Sequence, residues 1–220
     1  MSRSVTLLAI ALSGGAFYLY ALSAGSTWLA LAAKPVPLAM LLLWLLDAPA
    51  TAYRRRIMLG LGLSILGDLA LAWPGDLFTA GLAAFLCAHT AYLWAYQART
   101  RQPAIGALLL AALCGGGLFT LLAWHGLGAL LVPVALYALT ISAMLWRALA
   151  CGGLAGIGAL SFVLSDSLIG IDRFVSPFAA APYLIILFYW LGQWAIAASA
   201  RPAACAETLI QSAALQNKSV

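Results

Sequence analysis

Lys34, Asp68 and Asp166 each stand as the lone ionisable residue of an apolar run long enough to cross a bilayer. An amine and two carboxyls can pair, trade protons or steady a cation, and a charge at membrane depth is costly unless paired or wetted. Such residues mark a site by default. Two acids against one base leave a charge over, and carboxyls that share a site tend to keep a proton between them. A proton held in that way suits general acid catalysis or proton transport.

Weaker candidates surround these three. Gly81, Phe85, His89, Tyr92 and Tyr96 recur at spacings of four, four, three and four, so they share one helix face. His89 is read as a proton partner or a donor to substrate, against the plainer reading of a hydrogen-bonded packing residue. Gly60, Ser64 and Asp68 line another face; Gly60 permits close helix approach and Ser64 offers a hydroxyl to a cavity. Ser161, Ser165, Asp166 and Ser167 form a polar cluster, although hydroxyls in a span usually bond back to their own helix. A serine nucleophile finds no GxSxG elbow, and there is no HExxH. With only His89 and His125 present, a three-histidine zinc site is excluded, and no metal or cofactor is expected. Gly60, Gly62 and Gly67 are no dinucleotide fingerprint, since they lie within one span; Gly115-Gly116-Gly117 and Gly152-Gly153 read as packing or hinge positions.

The elements that hold these residues must be transmembrane helices. Of 220 residues, 65% are apolar and 8% charged, with mean hydropathy +1.03, far from the composition of a soluble domain. Apolar runs between turn signals predict eight spans, at about 5–22, 28–46, 56–73, 77–97, 103–123, 128–148, 154–172 and 182–200. No segment alternates as a membrane barrel would require. The expected fold is an all-α polytopic bundle, one domain over 1–200 with a cytoplasmic tail over 201–220.

Cytoplasmic loops retain positive charge, which fixes an orientation. With the N-terminus inside, Arg3, Arg54, Arg55, Arg56, Arg99, Arg101, Arg147, Arg201 and Lys218 are cytoplasmic, and only Arg173 is outside, offset by Asp172. Topology and anionic lipid then account for the net charge of +5 without a nucleic-acid partner. The first span resembles a signal peptide, but its apolar stretch is longer than a usual signal core. Cys87, Cys114, Cys151 and Cys205 form no CxxC pair and read as small apolar residues.

Helical rise converts position into depth. Lys34 follows Trp28 by six residues, Asp68 precedes Trp73 by five and Asp166 precedes Asp172 by six, which puts all three roughly 8–9 Å below the outer interface. Opposite charges from three helices at one level predict a shared, partly hydrated cavity. The alternative is a polar clasp in which Lys34 only neutralises an aspartate and holds helices together.

Several motifs in order resemble the YhhN family, which includes lysoplasmalogenases: Lys34-Pro35, Leu66-Gly67-Asp68, Gly81 with Phe85, His89 and Tyr92, Ser165-Asp166-Ser167-Leu168, and Tyr189 with Gln193. The resemblance runs from about Ala33 to Ser199. It implies a multispanning enzyme that cleaves the vinyl ether of lysoplasmalogens to a fatty aldehyde and a glycerophosphoethanolamine or glycerophosphocholine. On that reading Asp68, Asp166 and Lys34 are catalytic, one aspartate acting as acid and the other as anion and base. Lys34 either splits their protonation or contacts the phosphate. His89, Tyr92, Ser64, Ser165, Tyr189 and Gln193 hold the substrate or order water. The lipid would enter sideways from a bacterial inner membrane. A proton-coupled transporter using Asp68, Asp166 and His89 competes, although no repeat is visible. A non-catalytic scaffold is the third alternative.

Overall fold

The computed structural model describes residues 3–201; the expected tail beyond Arg201 lies outside the described residues. Every regular element described is helical: α1 (Arg3–Ser23), α2 (Thr27–Ala33), α3 (Val36–Leu46), α4 (Ala52–Ala72), α5 (Phe78–Arg99), α6 (Ile105–Trp124), α7 (Leu131–Cys151), α8 (Gly153–Phe174) and α9 (Ala181–Ala198), with a 3₁₀ turn at Gly128–Leu130 leading into α7. The all-α integral membrane fold expected from composition is therefore present.

Among the described residues, seven segments are long and apolar enough to cross a bilayer: Arg3–Ser23, Thr27–Leu45, Phe78–Arg99, Ile105–Trp124, Gly128–Cys151, Gly153–Phe174 and Ala181–Ala198. The second joins α2 and α3 across a break at Lys34-Pro35, where proline removes a backbone donor. The 21 residues of α4 match a span in length but carry Arg54, Arg55, Arg56 and Asp68, so composition alone does not place α4 in the membrane. Leu109, Leu113 and Leu139 are among the large apolar side chains left exposed, the surface a lipid solvent favours.

Glycines set the tightest contacts. A side chain at Gly60 would meet the Tyr92 ring, one at Gly67 the Phe85 ring, and one at Gly81 would meet Leu71, so α4 and α5 close onto each other. Between α8 and α9 the approach is backbone to backbone. A Cβ on Gly158 would lie 2.9 Å from the Gly192 carbonyl, and a Cβ on Gly192 would lie 3.0 Å from both the Gly158 carbonyl and the Phe162 nitrogen. Main chain cannot rotate out of the way as a side chain can. Gly192→Leu is expected to lose at least ~3 kcal/mol of stability, read as a large fall in Tm in detergent. α6 continues unbroken through its glycine run, and Gly115 seats against Ser142 of α7. α6 rests on α7 and only lightly on α8, without extensive packing on α5.

The two ends of the bundle are finished differently. At one end, arginines donate to carbonyls at or just past helix C-termini: Arg54 to Leu45, Leu46 and Ala48, Arg201 to Trp44 at 2.8 Å, Arg99 to Ser199 at 3.0 Å and Arg147 to Gln102 at 2.6 Å and to Thr100. Helix C-termini carry unsatisfied acceptors and partial negative charge, so guanidinium groups suit them. At the other end Arg173 pairs with Asp76 at 3.2 Å rather than with its neighbour Asp172. The Asp172 carboxylate instead accepts from the Phe178 backbone N–H at 3.1 Å.

Candidate functional site

The break after α2 carries Lys34 inward to α4, where its Nζ lies 3.4 Å from Asp68 Oδ1. The other oxygen of Asp68 accepts a 2.7 Å hydrogen bond from the Tyr189 hydroxyl on α9. Asp68 is 1% exposed, so amine and phenol stand in for the water the carboxylate has lost. Polar groups extend from this centre across the core. Tyr92 donates to Gln193 Oε1 at 2.7 Å, Ser64 lies beside the Tyr92 hydroxyl, and the Gln193 amide lies beside Tyr189. The i, i+4 spacing of Tyr189 and Gln193 on α9 lets one helix face reach both Asp68 and Tyr92.

Asp166, on α8, belongs to a second centre. Its Oδ2 accepts from Tyr137 of α7 at 2.5 Å and lies 3.6 Å from His89 Nε2 of α5. His89 is fully buried, set edge-on against Tyr137 at 5.2 Å and Phe162 at 4.7 Å between ring centres. Among the described residues, no lysine or arginine faces Asp166 within ion-pair distance. The two centres connect through aromatic edges, Phe162 meeting Tyr189 at 5.4 Å and Phe85 touching both.

The single cavity expected from equal depth is thus resolved into two polar centres, since Lys34 is committed to Asp68 alone. Asp166 faces elsewhere, into an apolar groove between α5 and α6 floored by α7 and α8. The groove is narrow, with about 80 Å³ of free interior space, and Leu82, Leu118, Phe119 and Ile141 are among its walls. Asp166 is the only carboxyl in this lining among the described residues.

Of the residues singled out from sequence, Lys34, Asp68 and Tyr189 meet in one centre, Ser64, Tyr92 and Gln193 continue it, and His89 joins Asp166 in the other. Ser165 is turned away. Its hydroxyl bonds the Ile185 carbonyl of α9 at 2.9 Å, as Ser161 bonds Phe188, so both serines bind helix to helix rather than to their own turns. Ser167 alone of the three bonds back within α8, to Val163. Tyr137 was not foreseen; its only mark in sequence is a phenol within an otherwise aliphatic stretch of α7.

Comparison with known proteins places this arrangement. The sequence profile of the YhhN family matches residues 29–200. The chain belongs to the YhhN family. The matched region begins within α2 and ends just past α9, so it contains both polar centres and leaves out α1. Among curated relatives, the human protein named lysoplasmalogenase TMEM86B is 39% identical over 176 residues, 79% of this chain and 76% of the relative. Bovine lysoplasmalogenase TMEM86A is 32% identical over 206 residues, 84% of this chain and 83% of the relative. A lysoplasmalogenase of Mycobacterium tuberculosis is 33% identical over 177 residues, 68% of this chain and 67% of the relative. No solved structure matches this YhhN-family chain.

Proposed function

We propose that this YhhN-family protein is a lysoplasmalogenase, a membrane hydrolase that cleaves the vinyl ether of a lysoplasmalogen to a fatty aldehyde and a glycerophospho-headgroup. The names of its relatives support the reaction, and one observation carries the chemistry: a carboxyl with no lysine or arginine partner among the described residues, Asp166, set in the wall of an apolar groove. The alkenyl chain lies in that groove and enters between α5 and α6 from the bilayer. α4 is taken as the eighth span, both ends of the chain as cytoplasmic, and the host as a bacterial inner membrane, following the arginine distribution.

Vinyl ethers yield to acid. Protonation of the alkene carbon remote from oxygen gives an oxocarbenium ion, water adds at the carbon bearing oxygen, and the resulting hemiacetal collapses to aldehyde and alcohol. In our assignment Asp166 supplies the first proton, its geometry fixed by the Tyr137 hydroxyl, and its carboxylate then takes a proton from the attacking water. Asp68, held as an anion by Lys34, stabilises the cation through the aromatic edges between them. His89 orders the water beside Asp166. No metal or cofactor enters this sequence.

Purified protein in detergent is expected to convert lysoplasmenylethanolamine to aldehyde and glycerophosphoethanolamine in equal amounts, measured by gas chromatography and mass spectrometry. Flux of intact lipid across sealed vesicles without product would point to a transporter instead.

A further inference from the structure

Arg173 is the one arginine at its end of the bundle among the described residues, and the aspartate-activated groove leads to it. It stands in the last turn of α8, and its Nη2 lies 3.2 and 3.4 Å from the two carboxylate oxygens of Asp76, on the turn between α4 and α5. Its guanidinium sits 3.8 Å from the centre of the Phe78 ring, and Phe78 meets Phe174 at 5.8 Å. Phe78 and Phe174 both line the groove that holds Asp166. Beyond them a second, more open hollow, of about 250 Å³, is bordered by Asp76 and Arg173 and shares Leu71 and Phe78 with the groove. The ion pair is open to water, the Arg173 side chain 39% and the Asp76 side chain 74% exposed. The ion pair therefore stands, exposed, beside the end of the groove that Phe78 and Phe174 line.

Spacing along α8 fits one substrate class. Asp166 and Arg173 are seven residues apart, a separation that returns nearly to the same helix face and rises about 10.5 Å. In a lysoplasmalogen seven bonds separate the protonated alkenyl carbon from phosphorus. Three chain bonds span about 3.3–3.6 Å when extended, so seven span roughly 8 Å. The arginine side chain covers the remainder. Lys34, the other cation near this depth, is 12% exposed at its side chain and bound to Asp68, which leaves Arg173 for the phosphate.

Resting on the lysoplasmalogenase reading, we propose that Arg173 and Asp76 form the headgroup subsite: the phosphodiester of a zwitterionic lysophospholipid takes the Arg173 guanidinium and its ammonium group takes the Asp76 carboxylate. A zwitterion inserts into an ion pair without changing net charge, so neither protein group is left uncompensated. The planar fork of arginine suits phosphate oxygens, and Phe78 holds that fork in place from one face.

Binding of uncleavable saturated ethers to full-length protein in detergent tests the subsite separately from catalysis. With 1-O-hexadecyl-glycerophosphoethanolamine, Arg173→Gln is expected to raise Kd about ten-fold or more, and Arg173→Lys to recover part of that loss. With 1-O-hexadecylglycerol, which lacks phosphate, the ratio of variant to wild-type Kd is expected to stay below three-fold. Asp76→Asn should weaken the ethanolamine lipid more than 1-O-hexadecyl-glycerophosphate, which has no ammonium. An unchanged Kd for the ethanolamine lipid in Arg173→Gln, or an equal loss on both the phosphate-bearing and phosphate-free probes, overturns the assignment. If wild-type protein binds these probes as described yet releases no aldehyde from the alkenyl lipid, the reaction is wrong and the subsite stands.

Discussion

Asp166→Asn is expected to cut aldehyde release by about 10³-fold while leaving the protein folded. The magnitude is that of removing a positioned general acid, ~10²–10⁴-fold. Stability should hold because the replacement is nearly isosteric, its amide oxygen can still accept from Tyr137, and no cation is orphaned by loss of the carboxylate. The assay is product formation from lysoplasmenylethanolamine in detergent, with Tm and gel-filtration profile as folding controls. A turnover within ten-fold of wild type would remove Asp166 from the chemistry.

A contrasting result is expected at Lys34 and Asp68. Each is buried, and each is the other's counter-ion at 3.4 Å, so truncating either strands a charge. Lys34→Met and Asp68→Leu should each cost about 3–5 kcal/mol, whereas the double replacement should regain most of that loss. Thermal unfolding of the two single variants and the double variant supplies the coupling energy. Activity separates the roles: the double variant should fold and yet turn over at least ~10²-fold slower, because the anion that favours the oxocarbenium ion is gone. Full activity in the double variant would reduce the pair to a clasp between α2 and α4.

The three ionisable residues were legible because membrane composition leaves so few charges that each one stands out. The apolar runs delimited the helices to within a few residues. Rotation about each helix was not legible. Depth says nothing about azimuth, so Lys34 read as shared between two acids when it is turned to Asp68, and Asp166 read as cavity-facing without its groove. Ser165 shows the same limit: one more serine in a polar cluster, its hydroxyl is spent on the Ile185 carbonyl because Gly158 and Gly192 bring α9 within reach. Tyr137 was missed because a phenol among aliphatic residues reads as bulk until its partner is known. Arg173 read as balanced by adjacent Asp172, but consecutive helical side chains diverge by about 100°, which sends Asp172 to the Phe178 backbone and Arg173 to Asp76.

Because α6 stands off from α5 along the groove, the proposed reaction never needs to bring the cleaved hydrocarbon into water. On that proposal a long-chain aldehyde formed at Asp166 would drift sideways into the acyl layer, while the small glycerophospho fragment would leave past Arg173 to the aqueous side. Each turnover would then sort its two products into different phases, sparing aqueous amines the more reactive of them and delivering it to enzymes that work within the bilayer.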